Sequence, residues 1–469
     1  MLFPTPQFAL FFIPIFLVSW AVHRHRGIWL LFLLVASYVF YAWWDYTLLP
    51  LLAGVTLFSQ TIALRLHVAG SERARRLLLF AGVGGNLAVL GLFKYYDFAV
   101  VSASNGLRQL GLGLDPPLLR VVLPIGISFF TFQAVSYLVD VYRRGTEPVA
   151  LGELALYLSF FPHLVAGPIV RAGEIVPQFR EIPDARRLPA AEAFFLIVGG
   201  LFKKVVVASY LGAEVVDPVF AVPANYSAWQ TLVAVYAYAI QIYADFSGYT
   251  DIAIGVALLL GIRLPQNFDS PYAARSIGDF WRRWHMTLSR WLRDYLYIPL
   301  GGSRVSTAAT YRNLLITMLL GGLWHGAAWT FVAWGGMHGL FLAVGRWRRE
   351  RHRAAREPRS TRSVLAWLAT FHLVCLAWIF FRAESFDNAL EVLVRLVDLR
   401  SAAGPSFGAV AIVVSMLAVQ FVPRRLFVEL EGAFARLGPV AQGAALAVAF
   451  LLIDTLGPEG VPPFIYFQF

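Results

Sequence analysis

Two histidines could do chemistry, and one of them stands where ionisable side chains are scarce. His325 lies in Gly321-Gly322-Leu323-Trp324-His325-Gly326-Ala327-Ala328-Trp329, inside an apolar run from about Leu314 to Val344 without Lys, Arg, Asp or Glu. His285 sits forty positions earlier, on a stretch rich in Trp and Arg. Imidazole titrates near neutral pH, so it can take up a proton and return it. Such a group suits removal of a hydroxyl proton as the oxygen attacks an acyl carbon. The oxyanion formed would need donors, and Trp324, His285 or backbone N–H groups near Gly326 are the candidates. The plainer reading of His325 is a neutral histidine hydrogen-bonded between helices. An ionisable group at membrane depth is nevertheless costly, which makes it a functional hypothesis by default.

Other polar groups flank the apolar runs. Tyr243-Ala244-Asp245-Phe246-Ser247-Gly248-Tyr249-Thr250-Asp251 sets two carboxylates at the end of one run. Asp245 and Asp251 are expensive there unless paired; Arg282 or Arg283 are the candidate partners, in an ion pair that shapes a cavity. Asn267-Phe268-Asp269-Ser270-Pro271-Tyr272 is a turn-rich loop, with Asn267 a cavity-lining candidate. His163, in Pro162–Pro168, could line a pore, although a structural role is the plainer reading. Walker A, GxSxG and HExxH patterns do not occur, which argues against an ATP-driven pump and a serine hydrolase. The one cysteine, Cys375, excludes a disulfide framework or a Cys-based metal site within the chain. No local His and carboxylate spacing supports a metal, so no metal and no bound cofactor is expected.

The elements that must hold these groups follow from composition. The chain is 58% hydrophobic and 14% charged, with mean hydropathy +0.64. A soluble fold of that balance could not cover its surface with polar atoms. Apolar runs lie at about 8–22, 28–45, 48–65, 77–93, 118–139, 151–170, 193–212, 227–247, 311–345, 364–381, 407–422 and 439–456. They predict an all-α polytopic membrane protein of about 11–13 transmembrane or re-entrant helices. A β-barrel would show short alternating segments instead. The run 311–345 exceeds one straight span, so a break or tilt is expected near Gly321-Gly322 or Gly335-Gly336. Residues 264–310 form an amphipathic or re-entrant segment. Taken as a helix, it puts Trp281, His285, Leu288, Leu292 and Tyr295 on one face, with Arg282, Arg283, Arg290 and Arg293 mainly off it. Anchoring on lipid phosphate is the plainer reading of those arginines. Residues 1–469 read as a single integral-membrane domain, and 457–469 as an aromatic tail.

The net charge of +11 marks cytoplasmic loops in such a protein and not nucleic-acid binding. His23–Arg26, Arg65–Arg76 and Tyr142-Arg143-Arg144 share one side if the first five spans alternate. That side should be cytoplasmic, with the N-terminus and C-terminus both periplasmic. Met1 to Gln7 lacks a positive n-region, so the first run reads as an uncleaved span. Arg171, Arg180, Arg186 and Arg187 break the alternation unless 151–170 is re-entrant.

Several pieces together resemble the membrane-bound O-acyltransferase family. They are Pro124-Ile125-Gly126-Ile127-Ser128-Phe129-Phe130-Thr131-Phe132-Gln133, Pro162–Pro168, Tyr243–Asp251, Asn267–Tyr272, Phe280–Gly302, Leu323-Trp324-His325-Gly326 and the closing Phe464-Ile465-Tyr466-Phe467-Gln468-Phe469. Singly they are weak; in order, over nearly the full length, they are specific. The resemblance implies helices around a central funnel or tunnel and a catalytic histidine at His325, with His285 as a second site position. It also implies acetyl-CoA or another acyl thioester as a cytoplasmic donor. The acceptor would be a secreted polysaccharide: alginate first, with peptidoglycan, cellulose or another cell-surface glycan as alternatives. Tyr466 would relay the acyl group to a periplasmic acetyltransferase of the hydrolase-like esterase type; an interfacial aromatic anchor is its plainer role. The implied setting is the lipid of a bacterial inner membrane. Two readings from other classes remain, a secondary transporter and a non-catalytic platform for an acetyltransferase. Broken helices fit the transporter, but no repeated halves are present.

Overall fold

The computed structural model describes residues 1, 3–113, 116–351, 360–400, 403–458, 460 and 464–465. Regular structure among them is helical throughout, with no strand. Among the described residues, six helices are long and apolar enough to cross a membrane, or seven if the bent pair Phe407–Val419 and Arg424–Ala435 makes one span. Large apolar side chains face outward: on Pro439–Leu456, Val440 is 88% and Leu451 65% exposed. Such a surface is a liability in water and the ordinary outer face of a lipid-solvated helix. The expected all-α polytopic class is the one observed.

Contacts divide the chain into two compact units, Met1–Leu188 with Val256–Pro265, and Pro189–Gly255 with Gln266–Phe469. In the first, the run 151–170 is no span. It breaks at Phe160 into Leu151–Ser159 and Phe161–Leu164, and Pro162 in the first turn of the second piece lacks the N–H that would continue the first helix. Nine helical residues rise only about 14 Å, far short of the hydrocarbon layer of about 30 Å. Glu153, buried on the first piece, accepts hydrogen bonds from Arg26 at 2.6 Å and Arg180 at 2.8 Å. Two arginines 154 positions apart therefore reach one carboxylate. Similarly, Arg75 donates to the Tyr142 carbonyl. His163 takes the structural place given as its plainer reading. It is fully buried, its Nε2 lies 2.8 Å from the Tyr157 carbonyl, and its ring packs edge-on to Phe160.

In the second unit the run 311–345 is a hairpin of two helices, Thr307–His325 and Trp329–Arg351. The break falls at Gly326-Ala327-Ala328, just past the first glycine pair. The glycines serve as the contact instead of the hinge. A Cβ on Gly322 would lie 2.2 Å from the Phe331 carbonyl oxygen, and one on Gly335 2.3 Å from that of Met318. Only bare backbone allows antiparallel helices this close. Residues 264–310 are also not one helix. Ile277–Arg283 and Met286–Leu292 flank Trp284 and His285, and a π-helical turn follows at Arg293–Tyr297. The single-face stripe predicted for this segment therefore fails at His285.

Candidate active site

His285 occupies the corner between two short helices, with φ 42° and ψ 54°. This left-handed region costs a non-glycine residue about 1 kcal/mol, so surrounding contacts must hold it. They come from Asn267. Its side-chain oxygen Oδ1 meets His285 Nδ1 at 3.1 Å, the Thr287 backbone N–H at 3.2 Å and the Thr287 hydroxyl at 2.9 Å. Its backbone carbonyl accepts Met286 N–H at 2.9 Å. Asn267 thus caps the Met286–Leu292 helix from a distant loop. The Thr287 N–H can only donate, so the atom it meets is the amide oxygen. His285 Nδ1 must then donate as well, which leaves the lone pair on Nε2. That Nε2 is buried and has no hydrogen-bond partner among the described residues. Burial pushes the His285 pKa down to about 3, which keeps the ring neutral.

His325 is the last residue of the Thr307–His325 helix; the chain leaves it in extended form at Gly326. The carbonyl end of a helix is where positive charge is best tolerated, which suits a base that becomes an imidazolium. Aromatic rings wall it in. Trp324 and Trp334 lie 5.0 Å away between centroids and Phe381 5.4 Å. The His285 ring is 6.4 Å distant. Trp324 also approaches His285 at 6.1 Å. Gly326 makes room for this wall, since a Cβ there would fall 2.2 Å from the Phe331 ring. His325 is 2% exposed and His285 0%, so neither ring is open to solvent.

Asp245 and Asp251 do not pair with Arg282 or Arg283. Both arginines turn to Asp279 at 3.3 Å, and Arg283 also donates to the Asp269 carbonyl. The partners are two adjacent lysines, Lys204 for Asp245 and Lys203 for Asp251, with Lys203 also 3.1 Å from the Ser247 hydroxyl. Close crossing of the helices makes this possible: a Cβ on Gly200 would lie 2.6 Å from the Gly248 carbonyl oxygen. The lysines stand on a π-helical turn, Phe202–Ala208, facing carboxylates six positions apart on the Ala228–Leu259 helix. Sequence reasoning missed them. The signal was two cations inside an apolar run, which need anions on a neighbouring helix.

Phe246, beside Asp245, packs edge-on against His285 at 4.7 Å. It also touches Phe464 of the aromatic tail at 5.3 Å. Tyr466 lies outside the described residues. Among those described, no three His, Cys, Asp or Glu side chains are grouped to hold a metal ion.

The family model for membrane-bound O-acyltransferases matches residues 106–383. Over their full lengths the chain is 40% identical to a probable alginate O-acetylase AlgI of Pseudomonas putida. It is 44% identical to the corresponding protein of Pseudomonas aeruginosa, across 83% of this chain and 73% of that one. Similarity extends to a peptidoglycan O-acetyltransferase of Helicobacter pylori, 39% identical across 85% of this chain and 80% of that one.

Proposed function

Because the chain belongs to the membrane-bound O-acyltransferase family, we propose that it moves acetyl groups from a cytoplasmic thioester, acetyl-CoA, toward a secreted polysaccharide. It is a multi-pass membrane enzyme, and alginate is the favoured acceptor because the relatives named for it match at 40–44% identity. The Helicobacter relative supports peptidoglycan as the alternative.

His325 is the general base in this reading. It takes the proton of the acceptor hydroxyl as that oxygen bonds to the acyl carbon. The C–S bond then breaks, and the proton passes to the departing thiolate. The observation that carries the reading is the meeting of two imidazoles from distant segments, one at a helix carbonyl end and the other held in one tautomer by Asn267. The aromatic wall excludes water, which would otherwise hydrolyse the thioester. Substrates then reach the base only when rings such as Trp334 and Phe381 swing aside. Tyr466 serves as an intermediate acceptor, forming an aryl ester that a periplasmic acetyltransferase of the hydrolase-like esterase type consumes.

Activity in nanodiscs with acetyl-CoA tests the base. His325→Ala should insert normally and lose about 10²–10⁴-fold in rate; a wild-type rate would remove His325 from the chemistry. A second reading exchanges the histidines, favoured by the fixed lone pair on His285 Nε2. It requires His285→Ala to show the larger loss. Tyr466→Phe with unchanged polymer acetylation would eliminate the relay. Acetate released by alkali from purified alginate and peptidoglycan distinguishes the acceptors.

A further inference from the structure

We infer that Lys204 and Asp245 are positioning residues, a clasp that fixes the main chain of the aromatic tail beside the two-histidine site. The inference rests on the reading that acyl transfer occurs at that site. Asp245 divides its two carboxylate oxygens. Oδ1 takes the Lys204 ammonium, and Oδ2 accepts the Ile465 backbone N–H at 2.9 Å. The Asp245 and Lys204 side chains are 7% and 2% exposed. A buried carboxylate without all its partners is costly, so the tail completes what Lys204 alone leaves open. The grip on a main-chain N–H fixes position without asking for a particular side chain at 465. Phe464 sets the register. It is buried, with its ring 5.3 Å from Phe246 and 5.0 Å from Tyr249.

The clasp and the site share one turn of helix. Asp245 holds the tail, and its neighbour Phe246 packs on His285 at 4.7 Å. The Phe246 ring therefore lies between Phe464 and the imidazole. The residue after the clasp is Tyr466. A segment left free would sample many conformations and lose that backbone entropy whenever it is ordered. Fixing residue 465 in advance removes that cost from each turnover.

The first test removes the donor, together with the buried Ile465 side chain. Ile465→Pro lacks the N–H and leaves the ion pair intact. Loss of one hydrogen bond to a charged group corresponds to roughly a 10–100-fold effect, and acetyl transfer by the full chain in nanodiscs should fall by that much. Hydrogen–deuterium exchange of the tail peptide around residue 465 should accelerate in both Ile465→Pro and Asp245→Asn. The double change Lys204→Met with Asp245→Leu removes both charges without stranding either. It should lower the rate in the full chain and accelerate exchange of the peptide around residue 465. Unchanged exchange in Asp245→Asn would overturn the clasp, as would an unchanged rate in the double variant. Full activity of the chain lacking the tail would do the same. His325→Ala should abolish transfer while tail exchange stays as in the wild type, so failure of the active-site reading is recognised separately.

Discussion

Asn267 determines what His285 can do. In Asn267→Ala, the Nδ1–H of His285 and the N–H of Thr287 lose their shared acceptor, and leaving buried donors unmatched costs about 1–3 kcal/mol each. We expect a lower melting temperature in detergent and a drop in acetyl transfer that exceeds the loss of folded protein. Circular dichroism melts and rates per folded molecule check the two separately. Acid should act through the same ring. Its pKa of about 3 in the folded chain lies below the ordinary value near 6.5. Between those limits the unfolded chain binds a proton that the folded chain refuses, so stability falls as pH drops from about 6.5 toward 3. Above that window the contribution is fully present. His285→Asn should flatten this part of the stability profile. At this scale the sequence exposed His325 because an ionisable group in a long apolar run is conspicuous. It concealed the setting of His285, since helical periodicity cannot encode one left-handed residue between two short helices. The Asn267 cap was equally hidden, because it depends on a loop eighteen positions away.

At the scale of elements, glycines decide which helices can touch. Gly322→Ala would drive a methyl group to 2.2 Å from the Phe331 carbonyl oxygen, a backbone atom with no rotamer to yield. Gly336→Ala meets only the end of Leu319 at 3.4 Å. The first change should part the hairpin that ends in His325, lowering stability by more than about 2 kcal/mol and removing activity. The second should be nearly neutral in melting and turnover. The excess length of the 311–345 run foretold a break, but glycine was read as hinge where it is contact surface. The carboxylates show a related gap. Arg282 and Arg283 looked suitable because arginine is the visible cation of the amphipathic segment, whereas Lys203 and Lys204 were hidden in a run scored for its apolar average. Pairing across helices follows spatial neighbours, and the close crossing at Gly200 and Gly248 makes those neighbours.

For the whole molecule the open question in the sequence was sidedness, because Arg171, Arg180, Arg186 and Arg187 opposed a simple alternation of spans. The first unit bears on Arg180 among them. Leu151–Ser159 is too short to cross, and Glu153 on it binds both Arg26 and Arg180. Arg26 closes the first basic loop, so the segment carrying Arg180 shares that loop's face. Arg75 reaching the Tyr142 carbonyl joins the second and third basic loops in the same way. Each contact brings two basic segments to a common place, the pattern that charge-directed insertion favours. Cysteine labelling can test this with little background, because the lone native thiol, Cys375, is buried. Single cysteines replacing Arg24, Arg73 and Arg186 should react with a membrane-impermeant maleimide in inverted vesicles and stay unlabelled in intact spheroplasts. A cysteine at Ser401, beyond the Ser360–Arg382 span, would report on the other unit independently. Labelling of Arg186→Cys from the opposite side to Arg24→Cys would mean that the chain crosses between them an odd number of times, which the shared Glu153 carboxylate does not allow.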